Sequence, residues 1–140
     1  MNKIELHPGL VGDVQHVVQK VDTAAYLGSG TLDVLATPAL VQWMEQAAVQ
    51  AIAEHLPTGQ TSVGGHIDVQ HVAPTPVGLT VRVQAVLSEM VGRRLTFHIE
   101  AWDEDEQVGI ATHDRFLVDE KAFITHAQAK IQGKARRGGS

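Results

Sequence analysis

Thr37-Pro38-Ala39-Leu40-Val41-Gln42-Trp43-Met44-Glu45-Gln46-Ala47-Ala48-Val49-Gln50-Ala51-Ile52-Ala53-Glu54-His55 is the stretch on which the fold turns. Threonine followed by proline reads as an N-cap with proline at the first helical position, where a missing N–H costs no hydrogen bond. The run that follows holds no glycine or further proline and is rich in Ala, Leu, Gln, Met and Glu. Leu40, Met44, Ala47, Ala48, Ala51 and Ile52 recur at helical spacing and make an apolar stripe. Gln42, Gln46 and Gln50 lie on the other side, and Leu56-Pro57-Thr58-Gly59 stops the helix.

Downstream the period changes from helical to twofold. Val63, Gly65, Ile67, Val69 and His71 share one face of a strand, with His66, Asp68 and Gln70 on the other. After the break at Ala73-Pro74-Thr75-Pro76-Val77-Gly78, the residues Leu79, Val81, Val83, Ala85 and Leu87 alternate with polar ones. A turn at Val91-Gly92-Arg93 leads into Leu95, Phe97, Ile99 and Ala101, and the acidic turn Asp103–Gln107 leads into Val108–Val118. Upstream, Val11–Val21 alternates loosely as a first strand. Asp22–Ala36 has no pattern and reads as a flexible loop around Gly28-Ser29-Gly30. Phe123–Ile131 reads as a short helix or extension. The order is therefore strand, loop, one long helix, four strands. One helix cannot cover both faces of such a sheet, so the expected class is α+β, with a curved antiparallel sheet wrapped around the helix, the hotdog fold. Residues 1–132 form the one expected domain, and 133–140, with Lys134, Arg136 and Arg137, a disordered basic tail.

Composition narrows the function. The 140 residues suit one domain, and a 44% hydrophobic content with 4% aromatics calls for an aliphatic core. A net charge of -5 argues against a nucleic-acid partner. With no cysteine, disulfides, thiolate catalysis and Cys-ligated zinc are excluded. There is no apolar run long enough for a membrane span or a leader, so a cytoplasmic protein is expected. The eight histidines are scattered without metal-site spacing, and no metal is expected.

Three polar positions stand out. Glu45 lies near Val41, Val49 and Ile52 at the edge of the apolar half of the helix. A carboxylate there is costly unless it is paired or used, which makes it a candidate base or nucleophile, or else an edge residue reaching water. Thr37 is explained by capping alone, yet its hydroxyl sits beside the free amides of the first turn, where an oxyanion is stabilised. It precedes Glu45 by eight residues, about 12 Å along the axis. His71 shares its strand face with Ile67 and Val69, where it is either a packed core residue or a proton carrier.

Taken with Ala36-Thr37-Pro38, Trp43-Met44-Glu45, Val63-Gly64, Gln70-His71, Thr75-Pro76-Val77-Gly78-Leu79, Gly92-Arg93-Arg94-Leu95 and Gly109-Ile110-Ala111-Thr112-His113-Asp114-Arg115, the sequence resembles the fluoroacetyl-CoA thioesterase-like branch of the hotdog acyl-CoA thioesterases. The likeness runs from about Val11 to Lys130. It implies a catalytic set falling on Thr37, Glu45 and His71, a backbone donor to the substrate carbonyl at Gly64, and a supporting role for Arg115. The phenylalanine-bearing lid of the fluoroacetyl-specific enzyme has no counterpart in Gly28–Val34, which lacks aromatics. The expected activity is hydrolysis of a short or medium acyl-CoA, with CoA as part of the substrate and no other cofactor. Arg93 and Arg94, with Arg82 and Lys130, are the candidates for the CoA phosphates. The family pattern implies a homodimer, with a dimer of dimers as a further assembly. The rival readings are a non-catalytic acyl-CoA binder or sensor and an enoyl-CoA hydratase, the latter needing an Asp and a His close together, as Asp68 and His71 are in sequence.

Overall fold

The computed structural model describes residues 5–138, with side chains described over 5–134. Helix α2, Thr37–Ile52, carries the apolar stripe, and Leu40, Met44, Ala47, Ala48, Ala51 and Ile52 are all buried, together with Ala39 and Trp43. Five strands form one antiparallel sheet: β1 (Val11–Val17), β2 (Gln60–His71), β3 (Thr80–Val91), β4 (Arg94–Trp102) and β5 (Gln107–Asp119). Their spatial order is β1-β3-β4-β5-β2, so β1 and β2 are the edges. The alternation of β3 and β4 is carried through. Val81, Val83, Ala85 and Leu87, then Leu95, Phe97, Ile99 and Ala101, have no exposed surface and face α2. The sheet curls around the helix in the expected hotdog arrangement. Gly12 lets β1 approach α2, since a Cβ there would lie within 1.9 Å of the Ala47 carbonyl oxygen.

Three expectations change. The first strand ends at Val17 rather than Val21, and the following stretch is not an open loop. A 3-10 turn (Lys20–Asp22) and the short helix α1 (Ala24–Leu27) fold it into a flap. The flap is closed by Ala24 N–H to Val34 O at 2.9 Å and Ala25 N–H to Leu32 O at 3.0 Å, and pinned by Leu35 N–H to Thr75 O at 2.8 Å.

The second change concerns β2, whose register against β5 slips between Gly64 and His66, so Gly65 is an extra residue. A bulge breaks the twofold alternation. Val63 and Gly65 therefore do not share the face of Ile67, Val69 and His71. Gly64, opposite the buried Arg115, turns toward α2 instead.

Third, α3 spans Glu120–Gly138 and passes the boundary expected at 132/133, in keeping with the helix-favouring Ala, Gln, Lys and Arg of this stretch. Its first turn is capped by the Asp119 carboxylate, which accepts from Ala122 N–H at 2.9 Å. Gly139 and Ser140 lie outside the described residues. No helix among the described residues is long and apolar enough to cross a membrane.

Candidate active site

The N-terminus of α2 and the C-terminal end of β2 bring Thr37 and His71 together. Ala36, in an extended conformation, is the residue that caps the helix, and Thr37 is already in its first turn. Its hydroxyl is thus not spent on capping. Thr37 Oγ1 lies 2.8 Å from His71 Nδ1. Burial lowers the pKa of His71 from 6.5, opposed in part by the nearby Ala73 backbone. The ring therefore favours its neutral form. Nε2 is buried and meets no hydrogen-bond partner in good geometry among the described residues. A cleft of about 340 Å³ opens beside this pair, between the flap (Ala24, Ser29, Val34, Leu35) and Val72-Ala73-Pro74. Its described lining has no Phe, Tyr or Trp. Tyr26, on α1, is 59% exposed and outside that lining.

Glu45 sits elsewhere, two turns further along α2. Rather than being buried, its side chain is 43% exposed, and it is held by Arg115 Nη1, which donates to Oε2 at 3.1 Å. Oε1 has no hydrogen-bond partner among the described residues, and an open groove of about 390 Å³ lies beside it, lined by Gln42, Gln46, Val49, Gln50 and Arg115. Gly64 is required here, because a Cβ would stand 2.6 Å from Glu45 Oε2 and 3.3 Å from the Arg115 guanidinium. Arg115 is buried and also donates from Nε to Ser62 Oγ at 2.9 Å and from Nη2 to Ser62 O at 3.2 Å. A fixed cation beside a partly open carboxylate holds it aimed.

The expected residues therefore form two clusters within one chain. Thr37 and His71 make one, and Glu45, Gly64 and Arg115 make the other. Arg93 and Arg94 are exposed at the β3–β4 turn, at the end of the sheet nearer Glu45, since Arg94 pairs with Phe116 and Phe116 with Val63. Arg93 Nε donates to Leu117 O at 2.9 Å, and Arg94 reaches Glu89 only at 3.9 Å. Arg82 is engaged by Asp13 at 2.6 Å, and Lys130 is exposed on α3. Asp68 points to the outer face of the sheet beside His98, away from His71. No group of three or more His, Cys, Asp or Glu arranged to hold a metal occurs among the described residues.

A family model described as fluoroacetyl-CoA-specific thioesterase matches residues 18–121, which hold both clusters. The chain belongs to this family. The fluoroacetyl-CoA thioesterase of Streptantibioticus cattleyicolor is 40% identical to it over 106 residues, 76% of this chain and 73% of that protein. The solved structure of the fluoroacetyl-CoA thioesterase FlK superposes with a TM-score of 0.85 at 33% identity, covering 91% of this chain and 98% of that one. A mutant of FlK in complex with fluoroacetate and CoA gives 0.79 at 35% identity, over 84% and 99% of the two chains. A thioesterase superfamily member from Thermus thermophilus, at 24% identity, shares the fold with a TM-score of 0.83 over 92% of this chain and 96% of its own.

Two residues beside Glu45 in this fluoroacetyl-CoA thioesterase family member had no role in the reading of the sequence. Ser62 anchors Arg115, and His113, 1% exposed, lies 3.1 Å from its Nη1. The signal was present in β5, where Ala111, His113 and Arg115 occupy alternate positions. Two polar residues on a core-facing register mark a site. The Gly64-Gly65 pair inside a strand pattern likewise signals a bulge.

Proposed function

We propose that this protein hydrolyses a short or medium acyl-CoA thioester to the free acid and CoA. The observation that carries the reading is Glu45: an ion-paired carboxylate with one free oxygen, set against a glycine at a strand bulge. In this reaction Glu45 attacks the thioester carbonyl, or takes a proton from the water that does. The electron pair pushed onto the carbonyl oxygen is held by backbone N–H groups at the Gly64–His66 bulge, where the ladder is interrupted. Collapse expels the thiolate, which takes up a proton from solvent or, where water was the nucleophile, the one Glu45 accepted. On the covalent route water then cleaves the glutamyl anhydride to the free acid. Neutral His71, oriented by Thr37 through Nδ1, takes that water's proton and passes it on toward the thiolate. A thiolate is a good leaving group, so no metal or redox cofactor is needed. CoA enters as part of the substrate, its phosphates near Arg93 and Arg94. A CoA ester is too charged to cross a bilayer unaided, which fits a cytoplasmic protein.

The split site is completed by a homodimer. Antiparallel pairing of the edge strand β2 with its own copy over Gln60–His71 sets His71 opposite the partner's Gln60 end. That brings Thr37 and His71 of one protomer toward Glu45 and Gly64 of the other. Within one protomer, Gly64 and His71 are separated by about 20 Å of strand. An uncovered edge of this length favours such pairing.

The acyl group is taken by the cleft beside Thr37. Its mostly aliphatic lining, without Phe, Tyr or Trp, supports a general short or medium acyl chain over selection of fluoroacetyl. The hydratase reading loses support because Asp68 and His71 face opposite sides of the sheet. The test is thiol release from a panel of acyl-CoAs by wild type and Glu45→Ala. Turnover that collapses in the variant supports the thioesterase. Folded wild type that binds CoA esters without turnover replaces it with the binding reading, and enoyl absorbance lost from crotonyl-CoA replaces it with the hydratase.

A further inference from the structure

His113 is a buried histidine that the proposed chemistry does not use, yet its geometry admits one arrangement. Its Nδ1 lies 2.7 Å from the carbonyl oxygen of His66, which can only accept, so Nδ1 carries the proton. Its pKa is lowered from 6.5, chiefly by burial and further by Arg115, against the backbone of His66 and the charges of Glu45 and Asp114. Nε2 is then a bare lone pair, 3.1 Å from Arg115 Nη1. The same Nη1 nitrogen is 3.1 Å from Glu45 Oε2. Its two N–H groups are thus divided, one to the histidine and one to the carboxylate. Glu45 Oε2 and His113 Nε2 are themselves 3.9 Å apart, with the guanidinium bridging them.

We infer that His113 is a positioning residue: a tautomer-locked acceptor that fixes the Arg115 guanidinium so that it holds Glu45 by Oε2 and leaves Oε1 open for the reaction. A second carboxylate at this position would divide the charge of Arg115 and loosen its grip on Glu45. A neutral acceptor satisfies the buried N–H without competing for that charge. The anchor on His66 O ties the arrangement to the β2 bulge, and hence to the placement of Gly64. This assignment rests on the thioesterase reading of Glu45.

Two substitutions separate positioning from packing. His113→Gln keeps an acceptor near the Nε2 position and loses the donor to His66 O. His113→Asn keeps the donor near Nδ1 and loses the contact with Arg115. The experiment measures kcat and KM for acyl-CoA hydrolysis, with Tm, for wild type and both variants. The expected result is a fall in kcat of roughly tenfold to a hundredfold in His113→Asn at little-changed KM, with most of kcat retained in His113→Gln. The reverse order, or losses that simply follow Tm, would overturn the inference. Nitrogen-15 NMR of the wild-type imidazoles gives a reading that needs no turnover. His113 is expected as the Nδ1–H tautomer at neutral pH, and an Nε2–H signal or a charged ring would also overturn it. Absent turnover in wild type would instead count against the thioesterase reading itself, while the NMR result still decides the hydrogen-bond arrangement.

Discussion

At the scale of single residues, Thr37 is the position whose role changed most between sequence and structure. A capping threonine replaced by alanine costs about 1 kcal/mol of stability. Here Ala36 stands at the cap and the Thr37 hydroxyl is bonded to His71. Thr37→Ala is therefore expected to leave Tm nearly unchanged while kcat falls, and Thr37→Ser, which keeps the hydroxyl, to retain more activity. A loss of Tm matching the loss of a cap would contradict this, and thermal melts beside thiol-release assays decide it. Glu45→Gln keeps the size of the side chain and removes the charge that Arg115 holds. It is expected to lower kcat by on the order of 10²–10⁴. If Glu45 is the nucleophile and water cleaves the anhydride at the glutamyl carbonyl, a single turnover in oxygen-18 water leaves label in its carboxylate. Absence of label leaves two routes that put it in the product acid, direct attack by water and hydrolysis of a glutamyl anhydride at its acyl carbonyl. Trapping the anhydride with hydroxylamine separates them.

At the scale of elements, two glycines make contrasting predictions. Gly12 lets β1 lie against the backbone of α2, and neither neighbour can move without parting strand from helix. Gly12→Ala is expected to destabilise the protein by about 3 kcal/mol, at the upper end of overpacking, read as a lower denaturation midpoint. Gly64 faces the flexible, partly exposed end of Glu45. The carboxylate can swing away from an added methyl group, while the buried Arg115 and His113, each 3.3 Å from it, need give by only a few tenths of an ångström. Gly64→Ala is therefore expected to lose less stability than Gly12→Ala and to lose activity. Measuring both quantities on both variants tests whether the bulge in β2 serves the site rather than the fold.

At the scale of the whole molecule, the two clusters should work in trans. Thr37→Ala and Glu45→Ala homodimers are each expected to be inactive. Mixed by refolding, half of the dimers are hybrids in which one of two sites is intact, so about a quarter of wild-type activity should return. No recovery would mean that each chain builds its site alone. Buried His113 and half-buried His71 also set an acid limit on stability. The pKa values of His71 and His113 are lowered from 6.5 in the fold. Between the folded and the unfolded values the unfolded chain binds more protons, so stability rises with pH across that window and falls as pH drops below the ordinary histidine value. Melts between about pH 5 and 7 should show Tm falling toward acid, less steeply when His113 is replaced by Asn.

The sequence by itself determined the elements and the faces that had to be buried. The stripe of α2 and the alternation of β3 and β4 are local periodicities, and burying them leaves little choice but a sheet wrapped on one helix. It also marked Thr37, Glu45, Gly64, His71 and Arg115, because polar residues at core-facing positions and matches to a family pattern can be read along one dimension. Tertiary structure alone decided how these residues are grouped. The Gly65 bulge shifts the phase of β2 by one residue, and a shift of one moves every preceding side chain to the other face. Which cap residue a helix uses depends on what else is within reach of the hydroxyl, and for Thr37 that is a histidine 34 positions away. The pairing of Glu45 with Arg115, 70 positions apart, and the tautomer of His113 arise only where strand, bulge and helix meet. Hydrogen bonds are short and directional, so they are settled by distances between elements, which no periodicity encodes.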